Sequence, residues 1–148
     1  MLDFDFTILA DASIWIRIIV ALICGFAIGW EREAKHKAAG LRTTMLICLG
    51  ATLYMLAGEL ISKHGTTALD PTRIAGQVVT GIGFLGAGVI IHRGMSIHGL
   101  TTAATVWASA AIGVLIGAGY PLLAMGVSAI IVLVLLCTER LEKRIFKE

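Results

Sequence analysis

The stretch LLAMGVSAIIVLVLLC, residues 122–137, contains no charged residue and is close to the length a helix needs to cross a bilayer. Backbone N–H and C=O groups in hydrocarbon find no water to bond, so such a stretch must satisfy itself as a helix. Four further runs of the same kind, 14–30, 45–61, 74–91 and 100–120, precede it, separated by short polar segments. A hydrocarbon core of about 30 Å takes about 20 helical residues. The pattern therefore predicts an all-α integral membrane protein, a five-span helical bundle whose surroundings are the lipid bilayer.

Composition leaves room for little else. Of 148 residues, 57% are hydrophobic and 15% charged, with a mean hydropathy of +0.90. One domain is expected, a transmembrane bundle over 1–138 with a basic cytoplasmic tail over 139–148. The net charge of +2 is small and its cations are dispersed, so no nucleic-acid partner is expected.

The placement of charge is more informative. Arg32, Lys35, Lys37 and Arg42 follow the first run, and Arg140, Lys143, Arg144 and Lys147 follow the fifth, whereas Asp3, Asp5 and Asp11 precede the first. The positive-inside rule then puts the N-terminus outside and the C-terminus in the cytoplasm. Arg93 falls inside, and Lys63 and Arg73 outside. The N-terminus lacks a positive n-region and a small-residue cleavage site, so the first run is expected to stay as a span.

Helix ends carry ordinary signals. Asp70-Pro71 reads as an N-cap followed by proline at the first helical position. Pro121 after Gly117-Ala118-Gly119 marks a tight turn, and the segment from Glu139 is expected to continue the fifth helix into the headgroups.

Small residues predict the packing. Gly76, Gly81, Gly83, Gly86 and Gly88 share the third run with Gln77 and Thr80. At about 100° per residue they make two small faces beside a bulky stripe of Val78, Ile82, Leu85 and Val89. Small residues let helix backbones approach in lipid, so the third helix is expected at the centre of the bundle. Gly81, Gly83 and Gly86 also spell G-x-G-x-x-G, but a dinucleotide site needs a preceding strand that this chain does not offer.

In the first run Gly25 and Gly29 form a contact face. In the fourth, Thr101, Thr105, Ser109, Gly113 and Gly117 recur at i+4, which fits packing with hydroxyls bonded to the carbonyls one turn back. A polar lane for a solute is the alternative. Arg17 and Glu59 lie at similar depth near span ends, and either a pair between them or an Arg17 that reaches toward the headgroups is expected, rather than a transport role.

Chemistry-bearing residues are sparse. Cys24, Cys48 and Cys137 all lie in spans, where thiols serve as small packing groups. His36, His64, His92 and His98 lack metal-ligand spacing, and no nucleophile–base order is present. No enzyme activity, catalytic residue, cofactor or bound metal is expected. No Asp or Glu falls near the middle of a span, and a Mg²⁺ ion prefers carboxylate or water ligands, so the single chain makes a poor Mg²⁺ pore.

The charged residues gather on the expected cytoplasmic side, where two helices begin, at Leu41 and Leu100. Their positive dipole ends, with Arg32, Arg42 and Arg93, could hold an anion or a partner protein. A structural ion pair binding the first loop to the bundle is the plainer reading. Arg42 sits in a first turn, where a cation is unfavourable, and Glu31 or Glu33 is expected to compensate it.

Three motifs carry a resemblance. Glu31-Arg32-Glu33 with Ala39-Gly40-Leu41-Arg42-Thr43 is similar to the first signature of the MgtC/SapB family of bacterial membrane proteins. The run from Gly81 to Ile90, then Gly99-Leu100-Thr101-Thr102-Ala103-Ala104 and Trp107-Ala108, resembles its second. The likeness covers about 25–119. It implies a multi-pass protein of the bacterial inner membrane, without known enzymatic activity, linked to growth under low magnesium and, in some pathogens, to survival in macrophages.

Some members of that family contact the membrane ATP synthase and lower its activity. The residues carried over are Glu31, Arg32, Gly40, Leu41, Arg42, Thr43, Arg73, the third-helix glycines, Thr101, Thr102 and Trp107, to which the charge pattern adds Glu33 and Arg93. Longer members continue into a cytoplasmic regulatory domain, so this chain reads as a short member without it. The expected partners are another copy of the chain, in a homo-oligomer, and a membrane protein such as the ATP synthase. The rival expectation is a small transporter or channel, with Thr80, Thr101, Thr105 and Ser109 lining a path through an oligomer.

Overall fold

A computed structural model describes residues 11–64, 70–93 and 96–145. Five helices account for almost all of it: α1 (Ala12–Ala34), α2 (Leu41–His64), α3 (Pro71–Gly88), α4 (Leu100–Gly117) and α5 (Pro121–Ile145). Four of them, α1, α2, α4 and α5, are long and apolar enough to cross a membrane. The fifth, α3, holds five glycines together with Arg73, Gln77 and Thr80 in its 18 residues.

Helix starts follow the local chemistry. Asp11 caps α1 by accepting from the Ser13 N–H at 2.9 Å. Asp70 caps α3, accepting from the Thr72 N–H at 2.9 Å and the Thr72 hydroxyl at 2.7 Å, with Pro71 next in line. These bonds hold the Asp70 carboxyl below its usual pKa, because they stabilise its charged form.

The core is built on close backbone approach. A Cβ at Gly25 would stand 2.7 Å from the Met45 Cα, and one at Gly29 2.7 Å from the Leu41 Cα, so α1 and α2 touch along the predicted Gly25–Gly29 face. The buried Thr44 hydroxyl donates across that contact to the Gly25 carbonyl at 2.9 Å. On its other side α2 meets α4. A Cβ at Gly113 would lie 2.7 Å from the Ala51 Cβ, and one at Gly117 2.8 Å from the Thr52 carbonyl oxygen. Thr52 donates to the Gly113 carbonyl at 3.0 Å, and the Cys48 thiol to the Ser109 carbonyl at 3.1 Å.

Buried Ala21, Cys24, Ile28, Cys48, Ile112, Ile116 and Ala124 fill the space among α1, α2, α4 and α5. The hydroxyls of Thr105 and Ser109 donate one turn back, at 2.7 and 2.8 Å. That is the packing arrangement rather than an open lane.

The third helix departs from expectation. It lies at the edge of the bundle, against α4 and more loosely α2, and Gly86 is its only buried residue. Among the described residues, a Cβ added at Gly76, Gly81, Gly83 or Gly88 would meet nothing within 4 Å. Part of its bulky stripe turns inward instead, while Leu85 stays exposed. Val78 and Ile82 rest on Ile47, Val106 and Ala110, and the Ile74 side chain fills the space over Gly58. The reason is competition for α2, whose two faces are already taken by the glycine pairs of α1 and α4. Large side chains then make the larger dispersion contact for a helix left outside.

The run 74–91 also ends early. Ile91–Arg93 (β1) and Ser96–His98 (β2) form a short antiparallel ladder with Ile91 opposite His98. Gly99, at φ +91°, turns the chain into α4, and a Cβ there would strike the Val89 carbonyl oxygen. Successive helices alternate in direction, giving the bundle two polar ends. At one, Arg17 pairs with Glu59 at 2.6 Å, one of the two arrangements expected, and donates to the Gly117 carbonyl at 3.1 Å.

Candidate functional site

The other polar end unites the close of α1, the starts of α2 and α4, and the last part of α5. Glu31 and Arg32, in the final turns of α1, are 5% and 4% exposed. Burying charges in low dielectric is costly unless they are paired and hydrogen-bonded, and their partners come from three directions. The Lys35 ammonium lies 2.7 Å from Glu31 Oε1 and also pairs with Glu139 of α5. Arg32 Nη1 lies 3.7 Å from Glu31 Oε2, and Arg32 Nη2 donates to the Thr102 hydroxyl at 3.2 Å.

This chain of charges fastens α1 to α4 and α5. It is incompletely satisfied: among the described residues, Glu31 Oε2 and Arg32 Nε are buried without a hydrogen-bond partner. Glu33 acts separately. Its Oε2 accepts from the Leu41 N–H at 3.1 Å, capping α2 across the loop. Gly40 leaves the room this carboxylate occupies, and a Cβ there would push the Glu33 side chain off the Leu41 N–H. His36 and Ala39 take positive φ, 51° and 58°, to turn the loop, which is uncommon for residues other than glycine.

The expected compensation of Arg42 is therefore corrected. Glu31 is turned toward Lys35 and Arg32, and Glu33 is spent on a backbone N–H. Among the described residues no carboxylate lies within ion-pair distance of Arg42. Arg42 and Thr43 are exposed on the first turn of α2, at the mouth of a groove of about 760 Å³ between α2 and α3.

Other sequence-predicted residues scatter. Thr101 is exposed beside buried Thr102, and Trp107 is exposed on α4. Arg73 begins α3 at the opposite end of the bundle. The backbone of Arg93 lies in β1, and its side chain lies outside the described residues. Gly86 faces Ala103, and the remaining α3 glycines are open. The structure thus gathers Glu31, Arg32, Glu33, Gly40, Leu41 and Thr102, with Arg42 and Thr43 adjacent.

Lys35 and Glu139 were missing from the predicted site. The i,i+4 spacing of Glu31 and Lys35 could have found the first; nothing local points to Glu139. Among the described residues, no group of three or more His, Cys, Asp and Glu side chains is placed to hold a metal ion.

Comparison with known proteins follows the same stretch of chain. The MgtC family model matches residues 18–144. "Putative magnesium transporter YhiD" of Escherichia coli (strain K12) is 50% identical over 116 residues, which is 73% of this chain and 52% of that protein. "Protein MgtC" of Brucella abortus (strain 2308) is 50% identical over 99 residues, covering 67% of this chain and 40% of the relative. "Protein MgtC" of Salmonella typhimurium (strain LT2) is 48% identical over 104 residues, 70% and 43% respectively. The chain spans about half the length of these curated relatives or somewhat less. No solved structure matches.

Proposed function

Because this membrane protein belongs to the MgtC family, we propose that it is a non-catalytic, multi-pass protein of the bacterial inner membrane that binds and modulates another membrane protein, the ATP synthase, in adaptation to low magnesium. The charged end of the bundle is the contacting surface, and it faces the cytoplasm. The observation that carries this reading is the clamp just described: Arg32 to Thr102, Lys35 to Glu139 and Glu33 to Leu41 hold the α1–α2 loop and two helix starts in one fixed arrangement. The buried clamp fixes the loop that carries exposed Glu33 and Lys37, and a preorganised loop favours docking, because little ordering remains to be done on binding.

Transport through an oligomer is less well supported. Thr105 and Ser109 are buried inside the single chain, and their hydroxyls are committed to carbonyls of their own helix. The transporter name belongs to the E. coli relative.

A photo-crosslinking residue in place of exposed Lys37, activated in native membranes at low magnesium, is expected to yield an adduct with an ATP synthase subunit. The same chain in liposomes is expected to pass no Mg²⁺. Absence of the adduct, together with a Mg²⁺ flux that Thr105→Val removes, would replace this reading with the transporter.

A further inference from the structure

We propose that the groove between α2 and α3 is a defined binding site for one phospholipid with an anionic headgroup, whose phosphate sits at Arg42 and one of whose acyl chains lies along the groove. Its volume of about 760 Å³ falls within the roughly 300–1,000 Å³ of small-molecule sites. From Arg42 to Tyr54, both in its lining, α2 rises about 18 Å. One leaflet of a hydrocarbon core is about 15 Å deep, half of about 30 Å, so an acyl chain matches the groove lengthwise.

The walls are apolar for most of that length, with Leu46 and Ile47 on one side, Val78 and Ile82 on the other and Val106 at the back. Gly50 and Gly81 keep the space open, since a Cβ added at either would meet nothing within 4 Å. This gives Gly81, one of the exposed glycines of α3, a use other than helix contact.

Charge decides the headgroup. Arg42 stands at the mouth of the groove with no carboxylate of the described residues within ion-pair distance, since Glu33 is bonded to the Leu41 N–H at the start of α2. A guanidinium binds phosphate in bidentate fashion, and the cytoplasmic leaflet is rich in anionic lipid. A fixed cation at the end of an apolar slot is complementary to an anion with a long apolar tail. This site does not depend on the partner proposed above, because its wall is set by α2 and α3 and not by the Glu31–Glu139 clamp; its leaflet alone rests on the orientation proposed there.

The full chain, incubated with vesicles of equal parts phosphatidylglycerol and phosphatidylethanolamine and extracted in mild detergent, is examined by native mass spectrometry. One phosphatidylglycerol per chain is expected, retained at least about ten-fold over phosphatidylethanolamine. Arg42→Gln should reduce that preference about ten-fold. Gly81→Leu and Gly50→Leu should each remove retention of both lipids while circular dichroism stays unchanged. Equal retention of the two lipids by the wild type, full retention by Gly81→Leu and Gly50→Leu, or a polypeptide crosslinked from position 54 that excess phosphatidylglycerol does not displace, would each overturn the proposal.

Discussion

Gly113→Leu is expected to abolish the folded bundle, whereas Gly81→Leu in lipid-free detergent should leave its stability unchanged or slightly higher. Both substitutions enlarge a glycine in the middle of a helix, and in a solvated helix both would gain propensity of up to about 1 kcal/mol. Packing separates them. At Gly113 the first added carbon already lies 2.7 Å from the Ala51 Cβ and against the Cys48 carbonyl, and a backbone carbonyl cannot swing aside.

Overpacking of a well-filled core costs roughly 1–3 kcal/mol when side chains can yield, and more when they cannot. Moving α2 from α4 also breaks the bonds from Thr52 and Cys48. A loss of more than about 3 kcal/mol is expected on that basis. Unfolding in mixed micelles with increasing sodium dodecyl sulfate, followed by circular dichroism, measures it. Equal tolerance of both variants would mean that α2 and α4 are not in contact.

Glu31→Gln should destabilise the chain by about 3 kcal/mol or more, the usual consequence of stranding a buried charge. The asymmetry within the cluster makes this specific. Without Glu31, Arg32 keeps only the Thr102 hydroxyl, and Lys35 keeps Glu139. Without Arg32, Glu31 keeps Lys35, so Arg32→Gln should cost less. In the double variant neither charge remains to be stranded, and its loss should fall short of the sum of the single losses by about 1–3 kcal/mol. The same micelle titration reads all three. Additive losses, or a greater loss from Arg32→Gln, would show that the two groups do not share one buried cluster.

Several features of this fold were legible in the order of residues. The helices, the Asp70-Pro71 cap, the Gly25–Gly29 contact, the Arg17–Glu59 pair and the hydroxyls bonded one turn back all depend on spacing within a helix or on depth in the membrane. All but the Arg17–Glu59 pair, which rests on depth alone, are set by near neighbours in the chain or by one helix face, and each appears in the structure.

The place of α3 was not legible in the same way. Periodicity tells which residues share a face, but it does not tell which of several small faces wins a neighbour. The glycines of α1 and α4 took both sides of α2, and Val78 and Ile82 turned inward in their stead. The site shows the same limit. That Glu31, Arg32 and Glu33 would be occupied near the loop followed from charge and spacing, but the division of labour did not. Whether Glu33 reaches Arg42 or the Leu41 N–H depends on loop dihedrals at His36 and Ala39 that the residue types disfavour. Glu139 joins through a contact between helices at opposite ends of the chain.

The proposed function rests on one surface made by the α1–α2 loop and the segment before α4, turned toward the cell interior. Cysteines placed singly at Lys37, Ser96 and Lys63, with Cys137→Ser as background, can be probed in intact cells by a maleimide that does not cross the inner membrane. Positions 37 and 96 are expected to react only after the membrane is opened, and position 63 to react from outside. Labelling of one of positions 37 and 96 in intact cells would divide that surface between the two sides of the bilayer, labelling of both would turn it outward, and either result contradicts the account.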